Sequence, residues 1–321
     1  MKVGITGANG FIGNHLTRYV ASLGHEVIAF LLRDTSDTLL ESYPHQVYWG
    51  DVLDSESLYP FLKSCDVLFH LSGFNRYWAR DPNILNELNV IGPNNIATAC
   101  LSIGIKKIVH VSSCITLGVS EQPVTRNEKA DFNMSGKRFL YAESKKAGED
   151  QMKLSARENG LPVVIVNPAS AIGEMDYGPT PIGAPIIDIC KGWCPVWVDG
   201  GACFIDVHDL VQGLWLAMEK RRTGQQYLLA GDNLSNRDFM IKIAKLAGKS
   251  PPKVRIPKSL LSIVAHSQEW LANHLTHKAP KLTVGMYELI EKYLYYDSAK
   301  AKDELGFNPV PCDTAVAAGQ R

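Results

Sequence analysis

Tyr141 and Lys145 stand four residues apart in the run Tyr141-Ala142-Glu143-Ser144-Lys145. That spacing sets two side chains on one face of a helix. A phenol with an ordinary pKa of about 10 is a poor acid or base at neutral pH. An ammonium held beside it favours the phenolate and lowers that pKa. Ser113, which closes Val111-Ser112-Ser113, adds a hydroxyl able to orient a carbonyl or alcohol oxygen. Together the three groups can hand a proton to an oxygen, or take one from it, as hydride moves at the adjoining carbon. Each feature is common alone, so the reading depends on a cofactor site elsewhere in the chain.

Such a site is written near the start, in Thr6-Gly7-Ala8-Asn9-Gly10-Phe11-Ile12-Gly13. Gly7 permits a tight strand-to-helix turn, Gly10 lets backbone approach a pyrophosphate, and Gly13 allows close helix–strand packing. Asn9, Phe11 and Ile12 fill the same turn, and the helix that follows offers N–H donors and a positive dipole end to phosphates. The spacing is G-x-x-G-x-x-G rather than G-x-G-x-x-G. The second strand, Val27-Ile28-Ala29-Phe30-Leu31-Leu32-Arg33, has an apolar residue where an NAD site places a carboxylate. Arg33 can pair with a 2′-phosphate, which favours NADP; Asp34 leaves NAD open. Asp51 and Val52 are placed to meet the adenine, and Leu71, Ser72 and Gly73 to admit a ribose. His70 reads as structural.

These groups need a frame. Strand patterns at Lys2 to Thr6, Glu26 to Leu32, Gln46 to Trp49, Val67 to Leu71, Lys107 to Ser112 and Pro162 to Asn167 alternate with helical patterns at Phe11 to Leu23, Pro82 to Ile103 and Gly136 to Asn159. Alternation of this kind predicts an α/β fold with a doubly wound parallel sheet. After Asn167, prolines and glycines crowd Gly173 to Gly201, with a short helix expected at Ile186 to Lys191. Helices are expected at Asp206 to Lys220 and Asn236 to Ala247, a strand at Gln225 to Ala230, and mostly helix from Lys258 onward. The organisation read from this is a dinucleotide-binding domain over 1–170 and a smaller, mostly helical substrate lobe over 171–321, some of whose segments return to the sheet.

Bulk properties exclude several classes. Lys+Arg and Asp+Glu each total 33 and no long basic run occurs, which argues against nucleic acid or a membrane as partner. The seven cysteines are an odd set, which argues against a disulfide framework and for a cytoplasmic protein. Cys190 and Cys194 lack the further ligands of a zinc site, so no metal is expected.

The chain resembles the extended short-chain dehydrogenase/reductase superfamily over nearly its whole length. Thr6 to Gly13, Asp51, Ser113, Tyr141, Lys145 and Asn167-Pro168-Ala169-Ser170 carry the likeness. Within it the chain is most similar to dihydroflavonol 4-reductase-like proteins and hopanoid-associated sugar epimerases, through Leu-Leu-Arg33, Val109 to Ser113, Gly178 to Gly183 and Asp297 to Phe307. The resemblance implies a Rossmann domain and NAD(P), with Pro168, Ala169 and Ser170 at the nicotinamide and Lys145 on its ribose. It also implies a homodimer through Pro82 to Ile103 and Gly136 to Asn159, and a role for Asn89 in ordering the site. The leading expectation is an NADP-dependent reductase of a small-molecule carbonyl or secondary alcohol. A nucleotide-sugar epimerase or dehydratase with tightly held NAD(P) is the second, weakened by Thr116-Leu117-Gly118, which replaces a tyrosine-containing segment. A non-catalytic NADP sensor is the third. Trp193, Trp197, Phe204 and Trp215 suit either an apolar substrate or the core.

Overall fold

The computed structural model describes residues 1–136, 138–220 and 222–311; Cys312 lies outside them. The first half alternates as expected: β1 (Lys2–Thr6), α1 (Phe11–Ser22), β2 (Glu26–Leu31), β3 (His45–Trp49), α2 (Ser55–Lys63) and β4 (Val67–His70). Then α3 (Asn83–Asn86), one π turn (Glu87–Ile91) and α4 (Gly92–Ile103) run on as a continuous helix, followed by β5 (Ile108–Val111), α5 (Leu140–Asn159) and β6 (Val163–Pro168). Apart from the half-exposed edge strand β3, the strands are short apolar runs buried along almost their whole length, as sheets covered on both faces require.

The second half continues with β7 (Ser170–Ile172), α6 (Gly183–Cys190), β8 (Val196–Trp197), β9 (Gly201–Asp206), α7 (Val207–Glu219) and β10 (Gln226–Leu229). It closes with β11 (Asp232–Ser235), α8 (Asn236–Leu246), β12 (Val254–Arg255), α9 (Lys258–Leu271), α10 (Val284–Leu289), β13 (Tyr293–Leu294) and α11 (Ala299–Leu305). β10 leaves this half to join the main sheet.

The main sheet has seven parallel strands in the order β10-β6-β5-β4-β1-β2-β3. Leu16 and Val20 of α1 and Leu210 and Leu214 of α7 cover one face, meeting Val3, Ile5 and Val109. Phe61 and Leu62 of α2, Ile96 of α4 and Met152 of α5 cover the other, meeting Ile28, Leu68 and Ile165. The connections diverge at β1, which lies between β2 and β4. Ligands enter open α/β sheets at such a switch point, beyond the carboxyl ends of the strands.

A small sheet, absent from the sequence reading, floors the second lobe. β9 is its centre, between β11 and β13, with β7 also paired to β9. Its strands have 2 to 6 residues and lie among prolines and glycines, too short for a period of two to stand out. Helix α2 also went unread, since Pro60 interrupts its pattern.

Helix α5 begins at Leu140, four residues later than the sequence suggested, because Gly136 has φ +103°. Farther along, Gly148 brings α5 against the π turn. A Cβ there would lie 1.8 Å from the Asn89 carbonyl oxygen and 3.6 Å from Pro93. Backbone cannot yield as a flexible side chain does. Gly148→Ala is therefore expected to destabilise the fold by about 3 kcal/mol, the upper end for overpacking. An unchanged thermal midpoint would show that the two helices part without cost.

Candidate active site

The glycine turn sits at the switch point. Gly7 has φ +69°, and a Cβ on Gly13 would lie 2.0 Å from the Gly7 carbonyl oxygen. The α1 N-cap, Gly10, has no side-chain cap, and the first turn holds no acid. Its opening N–H groups therefore face the crevice, which suits a phosphate. The Asn9 amide donates to Thr35 Oγ1 (3.0 Å) and to the Ser36 carbonyl (3.2 Å), pinning the loop after β2 beside the turn. Thr6 Oγ1 accepts from the Leu71 and Ser72 N–H groups, each at 3.1 Å, and lies 2.9 Å from His70 Nδ1. Burial pulls His70 down to about 3, so the ring is neutral and structural.

A single cavity of about 860 Å³ runs from this turn into the second lobe. It is lined by Gly7, Asn9, Gly10, Phe11, Ile12 and Gly13; by Asp51 and Val52; by Leu71, Ser72 and Gly73; by Ser113, Tyr141 and Lys145; and by Pro168, Ala169 and Ser170. Arg33 is not on its wall, nor are Asp34 and Asn89. Arg33 is exposed, next to Leu31 and Leu32, which do line the cavity. The Asp51 carboxylate accepts from the Leu53 N–H at 2.9 Å, and Asn95 donates to the Val52 carbonyl at 3.0 Å. Groove, uncapped helix end and small-residue walls thus fit a dinucleotide.

Ser113 ends β5. Its Oγ accepts from the Ile115 N–H at 3.3 Å, and Asn167 donates to its carbonyl at 3.0 Å. Tyr141 lies in the first turn of α5, its ring 5.1 Å from Tyr77 in an edge-on contact. Lys145 reaches the Val111 carbonyl at 3.5 Å. The expected lowering of the phenol is not what the protein alone shows. Burial pushes Tyr141 up to about 12, and hydrogen bonding with Ser113 only partly offsets this. Burial likewise pulls Lys145 down to about 8, against the opposing pull of Glu149. Desolvation outweighs the charge on which the sequence argument relied. The resting group is a neutral phenol beside an ammonium that loses its proton as pH rises through about 8.

Glu149 escaped the sequence reading. It lies on α5 one turn beyond Lys145 and is 1% exposed. It accepts from Ser112 Oγ (2.7 Å), Thr116 Oγ1 (2.8 Å), Asn167 Nδ2 (2.6 Å), Gln226 Nε2 (3.1 Å) and Lys153 Nζ (2.6 Å). Burial alone would raise its pKa, but the Lys153 ammonium and these donors hold it below the ordinary carboxylate range. The available signal was an acid eight residues after Tyr141, on the same helix face.

Asn89 is buried between the loop after β4 and α5. Its amide donates to the Phe74 carbonyl and to Ser144 Oγ, each at 3.0 Å, and its Oδ1 accepts from the Phe74 N–H at 2.8 Å. The π turn is what swings it inward. Arg76 is exposed and donates to the Gly178 carbonyl at 3.2 Å. Cys114 is buried, its thiol pushed up to about 12 by desolvation. Cys190 and Cys194 find no third ligand among the described residues. There the one cluster of metal-type side chains is His15, Glu174 and His208, which join α1 to α7 through Glu174. Trp197 and Phe204 line the cavity, Trp215 lies in the main core, and Trp193 is exposed.

The model of the NAD dependent epimerase/dehydratase family matches residues 3–230. A protein of Synechocystis provisionally named dihydroflavonol 4-reductase is 29% identical, over 98% of this chain and 92% of its own. The sterol demethylase protein B of Methylococcus capsulatus is 27% identical, over 98% and 95%. The crystal structure of gox2253 superposes with a TM-score of 0.86 at 32% identity, covering 99% of this chain and 96% of that one.

Glu149→Gln keeps the shape and removes the charge. Leaving Lys153 and the site's donors without a carboxylate is expected to destabilise the fold by about 3 kcal/mol. Losing its field at Lys145 should also move the alkaline limb of the pH–rate profile below its wild-type position. A profile that stays in place would show that Glu149 acts on packing alone.

Proposed function

The chain belongs to the NAD dependent epimerase/dehydratase family, within the extended short-chain dehydrogenase/reductases, and is a nicotinamide-dependent enzyme; on that premise we propose that it interconverts a ketone and a secondary alcohol on an apolar small molecule. The observation that carries this reading is the wall of the cavity beyond Tyr141. Ile182, Ile189, Trp197, Phe239, Met286 and Leu289 stand there. A nucleotide sugar brings a diphosphate, which calls for paired cations. Beyond Lys145, the only cation among the described lining residues is Lys292, already paired with Glu121. The sterol demethylase relative is consistent with an apolar substrate.

A bound dinucleotide would supply or accept the hydride. The Tyr141 phenol, protonated at rest, is placed to give its proton to a carbonyl oxygen in the reducing direction. Ser113 would hold that oxygen. Lys145 would hydrogen-bond the nicotinamide ribose and, while charged, ease departure of the phenol proton. The apolar wall keeps water from the reacting carbon. Reduction is thus the direction the resting protonation state favours.

The test is a panel of cyclic and isoprenoid ketones and alcohols against nucleotide sugars, with Tyr141→Phe as control. Turnover of apolar ketones is expected, falling by about a thousandfold in Tyr141→Phe with dinucleotide affinity preserved. Turnover confined to nucleotide sugars would overturn the assignment.

Cofactor choice follows from the exposed end of β2. With an apolar residue at the carboxylate position and Arg33, Thr35 and Ser36 beside Asn9, NADP is the proposed cofactor. Titration of stripped protein should show tighter binding of NADPH than of NADH. Arg33→Ala should erase about tenfold or more of that preference, the worth of one charge-assisted pair. Equal affinities in the wild type would remove Arg33 from the site.

A further inference from the structure

On helix α9 three polar residues turn inward beside the buried Ala265: Gln268 Oε1 accepts from the Leu282 N–H at 3.1 Å, Glu269 Oε2 from the Val284 N–H at 2.7 Å, and Lys258 donates to the Ile290 carbonyl at 3.0 Å. Most of its large apolar residues face out. Leu260 (58% exposed), Ile263 (72%), Val264 (40%), Trp270 (55%) and Leu271 (41%) share one helix face, with the exposed Ser267 between Val264 and Trp270, and Leu275 (65%) continues the line on the π turn Ala272–Thr276. The face is about 22 Å long. Isolated exposed apolar residues are ordinary, whereas six gathered on one face mark a contact surface.

Charge identifies the occupant. Residues 249–281 hold Lys249, Lys253, Arg255, Lys258, Lys278 and Lys281 against the single acid Glu269, a net +5 in a chain whose total is zero. Lys258 faces inward and Arg255 pairs with Asp199, but Lys249, Lys253, Lys278 and Lys281 are exposed and flank the stripe at both ends. We propose that the outer face of α9 and its π-turn extension docks on an anionic phospholipid surface, lying in the interface with its apolar stripe sunk among the lipid headgroups. Among the described residues no helix is long and apolar enough to cross a membrane; the proposed contact lies along the lipid surface. The whole-chain charge balance hid this region, since the remainder of the chain carries the compensating acids. α10 packs against the inner side of α9 and gives Met286 and Leu289 to the cavity wall, so α10 lies between the docked helix and the apolar half of the site. The face of α9 is the same whichever substrate the cavity takes.

The experiment is co-sedimentation of the full chain with vesicles of phosphatidylcholine alone and of phosphatidylcholine mixed with phosphatidylglycerol. Binding should be at least tenfold tighter to the anionic vesicles and weaken with salt, each exposed lysine contributing about a fivefold factor. Ile263→Glu with Leu275→Glu, both on exposed positions, should lower vesicle binding by at least tenfold and leave NADPH affinity and thermal midpoint unchanged. Lys278→Glu with Lys281→Glu should erase the preference for anionic lipid. Absence of binding, equal binding to both vesicles, or binding that neither pair alters would overturn the proposal. So would a change from dimer to monomer in light scattering on Ile263→Glu with Leu275→Glu, which would make this face a contact between copies of the chain.

Discussion

The site depends on one buried carboxylate. Glu149 is sealed from water, yet five donors from four parts of the chain converge on it. A buried charge is costly unless paired and hydrogen-bonded, and this one is both. Its partners are the means of assembly. Ser112 fixes the end of β5, and so its neighbour Ser113. Thr116 fixes the turn after it, Asn167 the end of β6, and Gln226 the start of β10. Because Glu149 belongs to the helix that carries Tyr141 and Lys145, the carboxylate sets the spacing between helix and strand ends. It also sets the field in which Lys145 titrates.

A second constraint is the change in character along the cavity. At the glycine turn the wall is backbone N–H and small side chains; beyond Tyr141 it is aliphatic and aromatic. The phenol stands where one gives way to the other. Burial there raises its pKa and lowers that of Lys145, so the pair rests as a proton donor beside a weakly held charge. The same desolvation that defeats the simple charge argument prepares the group for reduction.

Much of this was legible in the sequence, and the reasons differ by element. The glycine turn, the buried strands and the Tyr-Lys pair are local patterns whose spacing is dictated by backbone geometry. β1 and α7 accordingly fall within a residue of expectation. Asp51 and Val52 follow from their place after the third strand, Pro168 to Ser170 from the resemblance, and all lie on the cavity wall. Glu149 was invisible because its partners are scattered over more than a hundred residues. The small sheet was invisible because its strands pair with distant segments and carry no run of their own. The π turn at Glu87–Ile91 leaves no mark in a helical pattern, though it aims Asn89. The face of α9 was masked by averaging, a charge balance taken over the whole chain saying nothing of a stretch of 33 residues.

The course of the chain through β10 has a consequence for how the protein is made. The strand bordering β6 is supplied by residues 226–229, after the chain has already built β7 and β9 of the second lobe and α7 on a face of the main sheet. A ribosome must therefore deliver the first part of the lobe before the sheet has its last edge and before Gln226 reaches Glu149. Until then β6 is an unpaired margin, the kind of template on which nascent chains join one another. Residue 170, where the sequence suggests a division, is thus not a place at which the polypeptide could be cut into two self-sufficient pieces. The chain also crosses between lobe and sheet repeatedly, on leaving β6, on entering α7, on leaving β10 and on entering α11, since α7 and α11 pack on the main sheet's core.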